Sequence, residues 1–126
     1  MSFRILIVDD HAEIRKLLRV TLEVGNFEVH EAESGKGALA MVARVKPRIV
    51  LMDIMMPGAI DGLQACRLIK DNPDLAGIKV VMLTARGQQI DIDQGKVAGA
   101  DHYLVKPFSP LQLIDMVNEL VGEPRL

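Results

Sequence analysis

Short apolar runs separated by longer helical patterns constrain the fold of this chain more than any other feature of its sequence. The runs at residues 5–8, 49–52 and 80–83 are continuous and rich in β-branched side chains. Such runs are typical of central strands in a parallel sheet, which is covered on both faces. Two weaker segments, at 27–30 and 103–105, fit edge strands, where partial solvation is tolerated. The sequence therefore predicts five strands.

Helical patterns fill the intervals between these strands. The first pattern stops at Gly25, the second begins with a Ser34 cap, and the third begins with an Asp61 cap. Ser109 followed by Pro110 is the preferred order at the start of a helix and predicts a last helix there. The apolar stripe expected to face the core in the first helix consists of Ile14, Leu17, Leu18, Thr21, Leu22 and Val24.

The segment 88–98 lacks a clean helical period, which predicts a fourth helix that is mobile or faces a partner. Five strands alternating with five helices predict an α/β fold, a doubly wound parallel sheet with helices on both faces. Right-handed crossovers, together with edge positions for the second and fifth strands, favour the flavodoxin-like strand order 2-1-3-4-5.

Composition narrows the class of function. The 126 residues suit a single domain, and fifteen basic residues against seventeen acidic residues give a net charge of -2. No basic excess exists to neutralise phosphates, so nucleic acid is not expected as a direct partner. The lone Cys66 cannot form an internal disulfide, and the first apolar run is too short to span a membrane. We therefore expect a cytoplasmic protein with no membrane contact.

Side chains that can do chemistry follow the predicted strands. Asp9 and Asp10 follow the first strand, Asp53 the third, Thr84 the fourth and Lys106 the fifth. In open α/β sheets, ligands bind beyond the carboxyl ends of the strands. Three carboxylates, a hydroxyl and an ammonium are therefore expected on one edge of the sheet.

Carboxylates this close together repel one another and therefore favour the binding of a cation. Two of them about 4 Å apart repel by roughly 4 kcal/mol near a protein surface, so either some are protonated or a cation shares the site. Because no cysteine or histidine falls at the ligand positions, the oxygen ligands favour Mg²⁺ over Zn²⁺. One carboxylate is then left as a nucleophile for phosphoryl transfer. Lys106 would contact the phosphoryl oxygens, and Thr84 would donate a hydrogen bond.

With these residues in this order, the sequence resembles the receiver domain of two-component response regulators. The resemblance covers essentially the whole chain, and it implies a receiver domain over residues 1–122 with a short tail at 123–126. Both a stand-alone regulator, which is favoured, and a domain of a longer protein stay open. The motifs that carry the resemblance are ILIVDD ending at Asp10, MDIMMPG around Asp53, TA beginning at Thr84 and YLVKPF around Lys106.

The resemblance implies that a histidine kinase or a histidine phosphotransfer domain phosphorylates Asp53. Asp9, Asp10 and Asp53 would hold Mg²⁺, for which Mn²⁺ can substitute, together with the backbone carbonyl of Met55. The domain would be a regulatory phosphoacceptor rather than an enzyme, because it would catalyse only its own phosphorylation and dephosphorylation.

The resemblance also implies a switch. Lys106 would pair with the phosphoryl group, Thr84 would move toward it, and Tyr103 would turn inward. The surface formed by the predicted fourth helix, the fifth strand and the last helix would change in response. A downstream protein target or a fused output domain would read that surface, and the chain would be a monomer or a phosphorylation-dependent dimer.

Two features depart from the usual receiver pattern. The loop at 57–62 is one residue longer than the Pro-Gly-X-Asp-Gly turn common in relatives, and we expect it to lengthen without moving Asp53. Met55, two residues beyond Asp53, is apolar and cannot orient an attacking water. We therefore expect slow loss of the phosphoryl group.

Three other functions are weighed against a phosphorylated receiver. A flavin binder on the same topology is disfavoured because two aspartates after the first strand would repel a phosphate without a metal. An aspartyl-phosphate phosphatase would place another acid at the position of Met55. A degenerate receiver is disfavoured because every residue needed for phosphorylation is present. The three histidines, His11, His30 and His102, form no ligand cluster by spacing and are expected on the surface.

Overall fold

The computed structural model describes residues 3–56, 58–85, 93, 96, 98–106 and 108–122. Five strands and four helices lie within these residues. The strands are β1 (Arg4–Val8), β2 (Glu28–Ala32), β3 (Ile49–Asp53), β4 (Lys79–Ala85) and β5 (His102–Lys106). The helices are α1 (Ala12–Val24), α2 (Gly35–Val45), α3 (Gly62–Asp71) and α4 (Pro110–Val121).

The strands form one parallel sheet in the order β2-β1-β3-β4-β5, which confirms the predicted topology. Alternate residues of each strand enter two separate cores. Leu6 and Val8 of β1 pack with residues of α2 and α3, whereas Ile5 and Ile7 pack with residues of α1 and α4. Helices therefore cover both faces of the sheet. Burial on both faces explains why the central strands are continuous apolar runs.

Three of the helices begin at the caps that the sequence predicts. The side chain of Ser34 accepts a hydrogen bond from the backbone N–H of Gly37, three residues further along the chain. Asp61 and Gln64 form a reciprocal capping box at the start of α3, and Ser109 and Gln112 form another at the start of α4. Such caps satisfy backbone N–H groups that have no partner within the helix.

The predicted apolar stripe of α1 is wrong at two positions. Leu17 is 56% exposed and Val24 is 84% exposed, whereas Leu18 and Leu22 are fully buried. The helix packs its Leu18–Leu22 row against the sheet, and Leu17 and Val24 point away from that row. Periodicity indicated an apolar face wider than the one that the sheet covers. The helix ends at Val24, directly before the predicted stop at Gly25.

The predicted helix at 88–98 falls largely outside the described residues. Asp93, Lys96 and Ala98 are helical, and Ala98 is buried. The Cys66 thiol on α3 is fully buried and donates to the carbonyl of Ala98 at 3.6 Å. Burial raises its pKa to about 11, which makes the thiol unreactive. Within the described residues, no helix is both long and apolar enough to cross a membrane.

Candidate functional site

The polar residues at the carboxyl ends of four strands lie together along one edge of the sheet. Asp9 directly follows β1, Asp53 is the last residue of β3, Thr84 is the penultimate residue of β4, and Lys106 is the last residue of β5. Because the strands are parallel, these positions share the edge at which α/β proteins bind ligands. Asp10, the next residue after Asp9, lies at the same edge.

Lys106 connects the two buried acids of the site. Its Nζ lies 3.4 Å from Oδ2 of Asp9 and 3.7 Å from Oδ1 of Asp53. Asp9 is fully buried and Asp53 is 7% exposed, so an ammonium close to both carboxylates offsets part of the cost of burying their charge. The structure thus brings together three residues that lie far apart in the sequence.

The acidic residues fit a divalent cation. Asp9, Asp10, His11 and Asp53 each offer one ligand atom, and these atoms lie within 4.8 Å of one another. Three carboxylates against the one ammonium of Lys106 leave a formal charge of -2, which a divalent ion would neutralise. Oδ1 of Asp10 is shielded from solvent and makes no hydrogen bond of good geometry within the described residues, although Nδ1 of His11 lies 3.2 Å away. A carboxylate oxygen in that position is suited to a metal ligand.

Burial dominates the electrostatics of Asp53. Removal from water raises the pKa of this carboxyl group, while the charge of Lys106 acts in the opposite direction. The charge of Asp9 raises the pKa further, and a hydrogen bond at 3.4 Å from the Met55 amide to Oδ1 lowers it. Compared with a free aspartate, Asp53 thus holds its proton more readily, and added positive charge would oppose this shift.

His11 lies on the surface, as the sequence predicts, but it also belongs to this cluster, which the sequence did not predict. Its side chain is 65% exposed, but Nδ1 lies 3.0 Å from Oδ1 of Asp9 and 3.2 Å from Oδ1 of Asp10. The hydrogen bond with Asp9 and the charge of Asp10 raise the pKa of this imidazole. The three histidines do not cluster with one another. The signal that could have identified His11 is its position directly after the two aspartates.

Two hydroxyl groups, one on β4 and one on β5, are shielded from solvent and have no hydrogen-bond partner among the described residues. They are Oγ1 of Thr84, a residue 2% exposed, and the phenol of Tyr103, which is half-buried beside α3. Burial raises the pKa of Tyr103, so its hydroxyl stays protonated. A buried donor without an acceptor is uncommon and costs stability. The predicted switch roles of both residues stay predictions.

The loop after Asp53 approaches two glycines closely. A Cβ on Gly62 would lie 2.0 Å from the carbonyl oxygen of Asp53, and one on Gly35 would lie 2.3 Å from that of Ile60. The amide of Gly62 also donates to the carbonyl of Ile54 at 3.2 Å. The helix starts of α2 and α3 therefore pack closely against Ile60 and against the end of β3, where the predicted phosphoacceptor lies. Neither glycine was predicted from the sequence to be part of the site.

Met55 lies in the same loop, and its side chain is 73% exposed. Its amide points to Asp53, as described above, while the predicted role of its carbonyl as a metal ligand stays a prediction. The β1–α1 loop is held from the other side by Arg15, which donates from Nη1 to the carbonyl of Asp9 at 2.7 Å. Arg15 in turn pairs with Glu31 of β2 at 3.0 Å.

Comparison with known proteins agrees with this arrangement. The family model described as the response regulator receiver domain matches residues 5–118. The transcriptional regulatory protein ResD of Bacillus subtilis is 42% identical over 118 residues, 94% of this chain. The phosphate regulon transcriptional regulatory protein PhoB of Pseudomonas aeruginosa is 42% identical over 110 residues, 87% of this chain. In both cases the match covers 48% of the relative, so the chain spans about half the length of these curated proteins.

Solved structures give the same result. The chemotaxis response regulator CheY4 of Vibrio cholerae superposes with a TM-score of 0.88 and 28% identity, over 95% of this chain and 99% of that one. The receiver domain of a signal transduction histidine kinase from Syntrophus aciditrophicus superposes with a TM-score of 0.89 and 29% identity, over 96% and 91%. The chain belongs to the response regulator receiver domain family of two-component signalling systems.

Proposed function

We propose that this receiver domain accepts a phosphoryl group on Asp53 from a histidine kinase or a histidine phosphotransfer domain, in a Mg²⁺-dependent reaction. The observation that carries the proposal is the position of the Asp53 carboxylate, with Lys106 Nζ 3.7 Å away and Asp9 and Asp10 in the same cluster. A carboxylate oxygen of Asp53 attacks phosphorus, the P–N bond of the phosphohistidine breaks, and the nitrogen keeps the electron pair.

The acids of the site have separate roles in this proposal. Asp9, Asp10 and Asp53 hold Mg²⁺, for which Mn²⁺ can substitute, and the backbone carbonyl of Met55 is a further ligand. The ion supplies positive charge for the phosphoryl oxygens. Lys106 adds a second positive charge, and it contacts Asp9 and Asp53 before the reaction. Because it is already in place, this ammonium stabilises developing negative charge without reorganisation.

Thr84 and Tyr103 perform the switch. Phosphorylation adds acceptor oxygens at the sheet edge, and the unpartnered Thr84 hydroxyl is suited to bind one of them. Movement of Thr84 makes room for Tyr103, whose ring already packs beside α3. A change from 1:99 to 99:1 in the population of the active state requires about 5.5 kcal/mol. A hydroxyl contact together with a charge-assisted contact is of that order.

The proposed readout surface is formed by the segment 88–98, β5 and α4. Its partner is a downstream protein target or a fused output domain. The curated relatives are named transcriptional regulatory proteins, which supports a role in control of transcription through such a domain. Direct binding of nucleic acid by this domain is not proposed, because its net charge is -2. A cytoplasmic location, no membrane contact and a monomer or phosphorylation-dependent dimer complete the proposal.

Incubation with Mg²⁺ and acetyl phosphate is expected to add the mass of one phosphoryl group to the wild-type chain and none to Asp53→Asn. The reason is that the amide of asparagine lacks the nucleophilic carboxylate oxygen. Intact mass spectrometry measures the result. Asp71→Asn is the matched control, because Asp71 is exposed at the end of α3 and lies outside the acidic cluster. Equal labelling of wild type and Asp53→Asn, or undiminished labelling in EDTA, would refute the proposal.

The phosphorylated domain is expected to lose its phosphoryl group over minutes or longer. The exposed thioether of Met55 cannot hold a water for attack on phosphorus. Met55→Asn introduces a polar group at that position and is expected to shorten the lifetime several-fold, as followed by intact mass after removal of the donor. Val24→Asn, at an exposed apolar position on α1, is the control and is expected to have no effect. A wild-type lifetime of seconds would contradict the prediction.

A further inference from the structure

Arg15 of α1 connects the β1–α1 loop to the edge of the sheet. Its Nη1 donates to the backbone carbonyl of Asp9 at 2.7 Å, and its Nε lies 3.0 Å from Oε1 of Glu31 on β2. The side chain is only 14% exposed. Because the guanidinium is rigid and planar, the ion pair with Glu31 also fixes the direction of the hydrogen bond to Asp9. One side chain thus links α1, β2 and the loop that carries two of the three acids.

The carbonyl that Arg15 binds belongs to the peptide bond between Asp9 and Asp10. Asp9 lies directly after the end of β1 at Val8, and its amide donates to the carbonyl of Ala32 at 3.2 Å. A peptide group is planar, so a fixed carbonyl oxygen also fixes the direction in which the chain continues toward Asp10. The position of the Asp10 carboxylate therefore depends on the hydrogen bond from Arg15.

We propose that Arg15 is a positioning residue for the metal site, which holds the Asp9–Asp10 peptide so that both carboxylates stay close to that of Asp53. Ligand atoms of all three acids lie within 4.8 Å of one another in this arrangement. The inference rests on the proposed function, because it concerns the same Mg²⁺ site. Residues that orient metal ligands from outside commonly change metal affinity by about 10- to 100-fold when they are replaced.

Two simpler roles of Arg15 predict different results. If the residue acted only through its positive charge, its removal would raise the affinity for Mg²⁺, because one cation fewer would oppose the ion. If it only attached α1 to β2, Arg19 would matter to the same extent, because its Nε pairs with the other carboxylate oxygen of Glu31. A positioning role predicts a lower affinity for Mg²⁺ on loss of Arg15 alone.

Calorimetric titration of the purified chain with MgCl₂, in the absence of a phosphodonor, tests the inference. Arg15→Met is expected to weaken the binding of Mg²⁺ about tenfold. Arg19→Met is the matched control and is expected to stay within about twofold of wild type, because the contacts that it loses, with Glu23 and Glu31, lie outside the loop. An affinity of Arg15→Met equal to or above that of wild type, or an equal loss in Arg19→Met, would overturn the inference.

The rate of labelling by acetyl phosphate gives a second readout, which a general loss of structure would not reproduce. Arg15→Met is expected to need about tenfold more Mg²⁺ for half-maximal labelling of Asp53 and to come within about twofold of the wild-type rate at saturating Mg²⁺. A rate that stays low at saturating Mg²⁺ would overturn the inference, because added ion does not repair a damaged site. A wild-type chain that binds Mg²⁺ but is not labelled would instead refute the proposed function, and the titration would still test the role of Arg15.

Discussion

Replacement of Gly62 by alanine is expected to lower the free energy of unfolding by about 3 kcal/mol and to reduce phosphorylation of Asp53 in the molecules that remain folded. The added Cβ would lie 2.0 Å from the carbonyl oxygen of Asp53 and 3.0 Å from Cα of Ile54. Both neighbours are backbone atoms, which cannot rotate away as the end of a flexible side chain can. The clash is relieved by a shift of β3 relative to α3, and β3 ends in the residue that is expected to react.

Gly77→Ala is the matched control for this substitution. No described atom lies within 4 Å of a Cβ at Gly77, and its backbone does not adopt the left-handed conformation. Alanine there is expected to leave the stability unchanged or to raise it by about 0.4–1 kcal/mol, through a less flexible unfolded chain. Urea denaturation measures both variants, and labelling with acetyl phosphate measures the site. Equal stabilities of Gly62→Ala and Gly77→Ala would show that the loop accommodates the methyl group.

The sheet and the strand-end residues could be predicted because their signals are local. A continuous apolar run indicates a buried parallel strand wherever the other strands lie, and the residue after it must then lie at the carboxyl edge. Asp53 and Lys106 illustrate this, since each is the last residue of its strand. Helix starts are equally local, because the cap and its partner are three residues apart, as Asp61 and Gln64 show.

The contacts that the sequence did not reveal depend on how separate segments meet. The exposure of Leu17 follows from the rotation of α1 on the sheet, which its own periodicity does not determine. Glycine is required at position 62 because the start of α3 lies very close to the end of β3. The loop sequence does not indicate that distance. His11 is exposed, as predicted, but its contacts with the aspartates were missed because the histidines were compared with one another and not with the adjacent acids.

Replacement of Lys70 by methionine is expected to lower the free energy of unfolding by about 2–3 kcal/mol. The ammonium at the end of α3 lies 2.6 Å from Oδ2 of Asp101 and donates to the carbonyl of Ile78 at 2.7 Å and that of Ala76 at 3.2 Å. Its side chain is 14% exposed. Methionine retains the apolar stem but leaves the carboxylate of Asp101 without its counter-ion and two carbonyl groups without this donor. The cost of such groups exceeds the value of the contact itself.

Asp101 adds to this cost because it also connects β4 to β5. Its Oδ2 accepts from the amide of Val80 at 2.8 Å, and its amide donates to the carbonyl of Val80 at 2.8 Å. In the Lys70→Met background, Asp101→Asn removes the uncompensated charge while an amide oxygen can still accept from Val80. The second substitution is therefore expected to cost less in that background than in wild type, which a double-mutant cycle measures.

Lys36→Met is the control for Lys70→Met, because Lys36 is exposed on α2 and methionine there is expected to change stability by no more than about 0.5 kcal/mol.

The contacts of Lys70 and Asp101 lie at the start of β4, whereas the acidic site lies at the opposite end of the sheet, beyond the last residues of β3 and β5. Folded Lys70→Met is therefore expected to accept a phosphoryl group as wild type does, in contrast to Gly62→Ala. Equal stabilities of Lys70→Met and Lys36→Met would show that water replaces the ammonium at no cost. Loss of labelling in the folded variant would show that this end of the sheet controls the other.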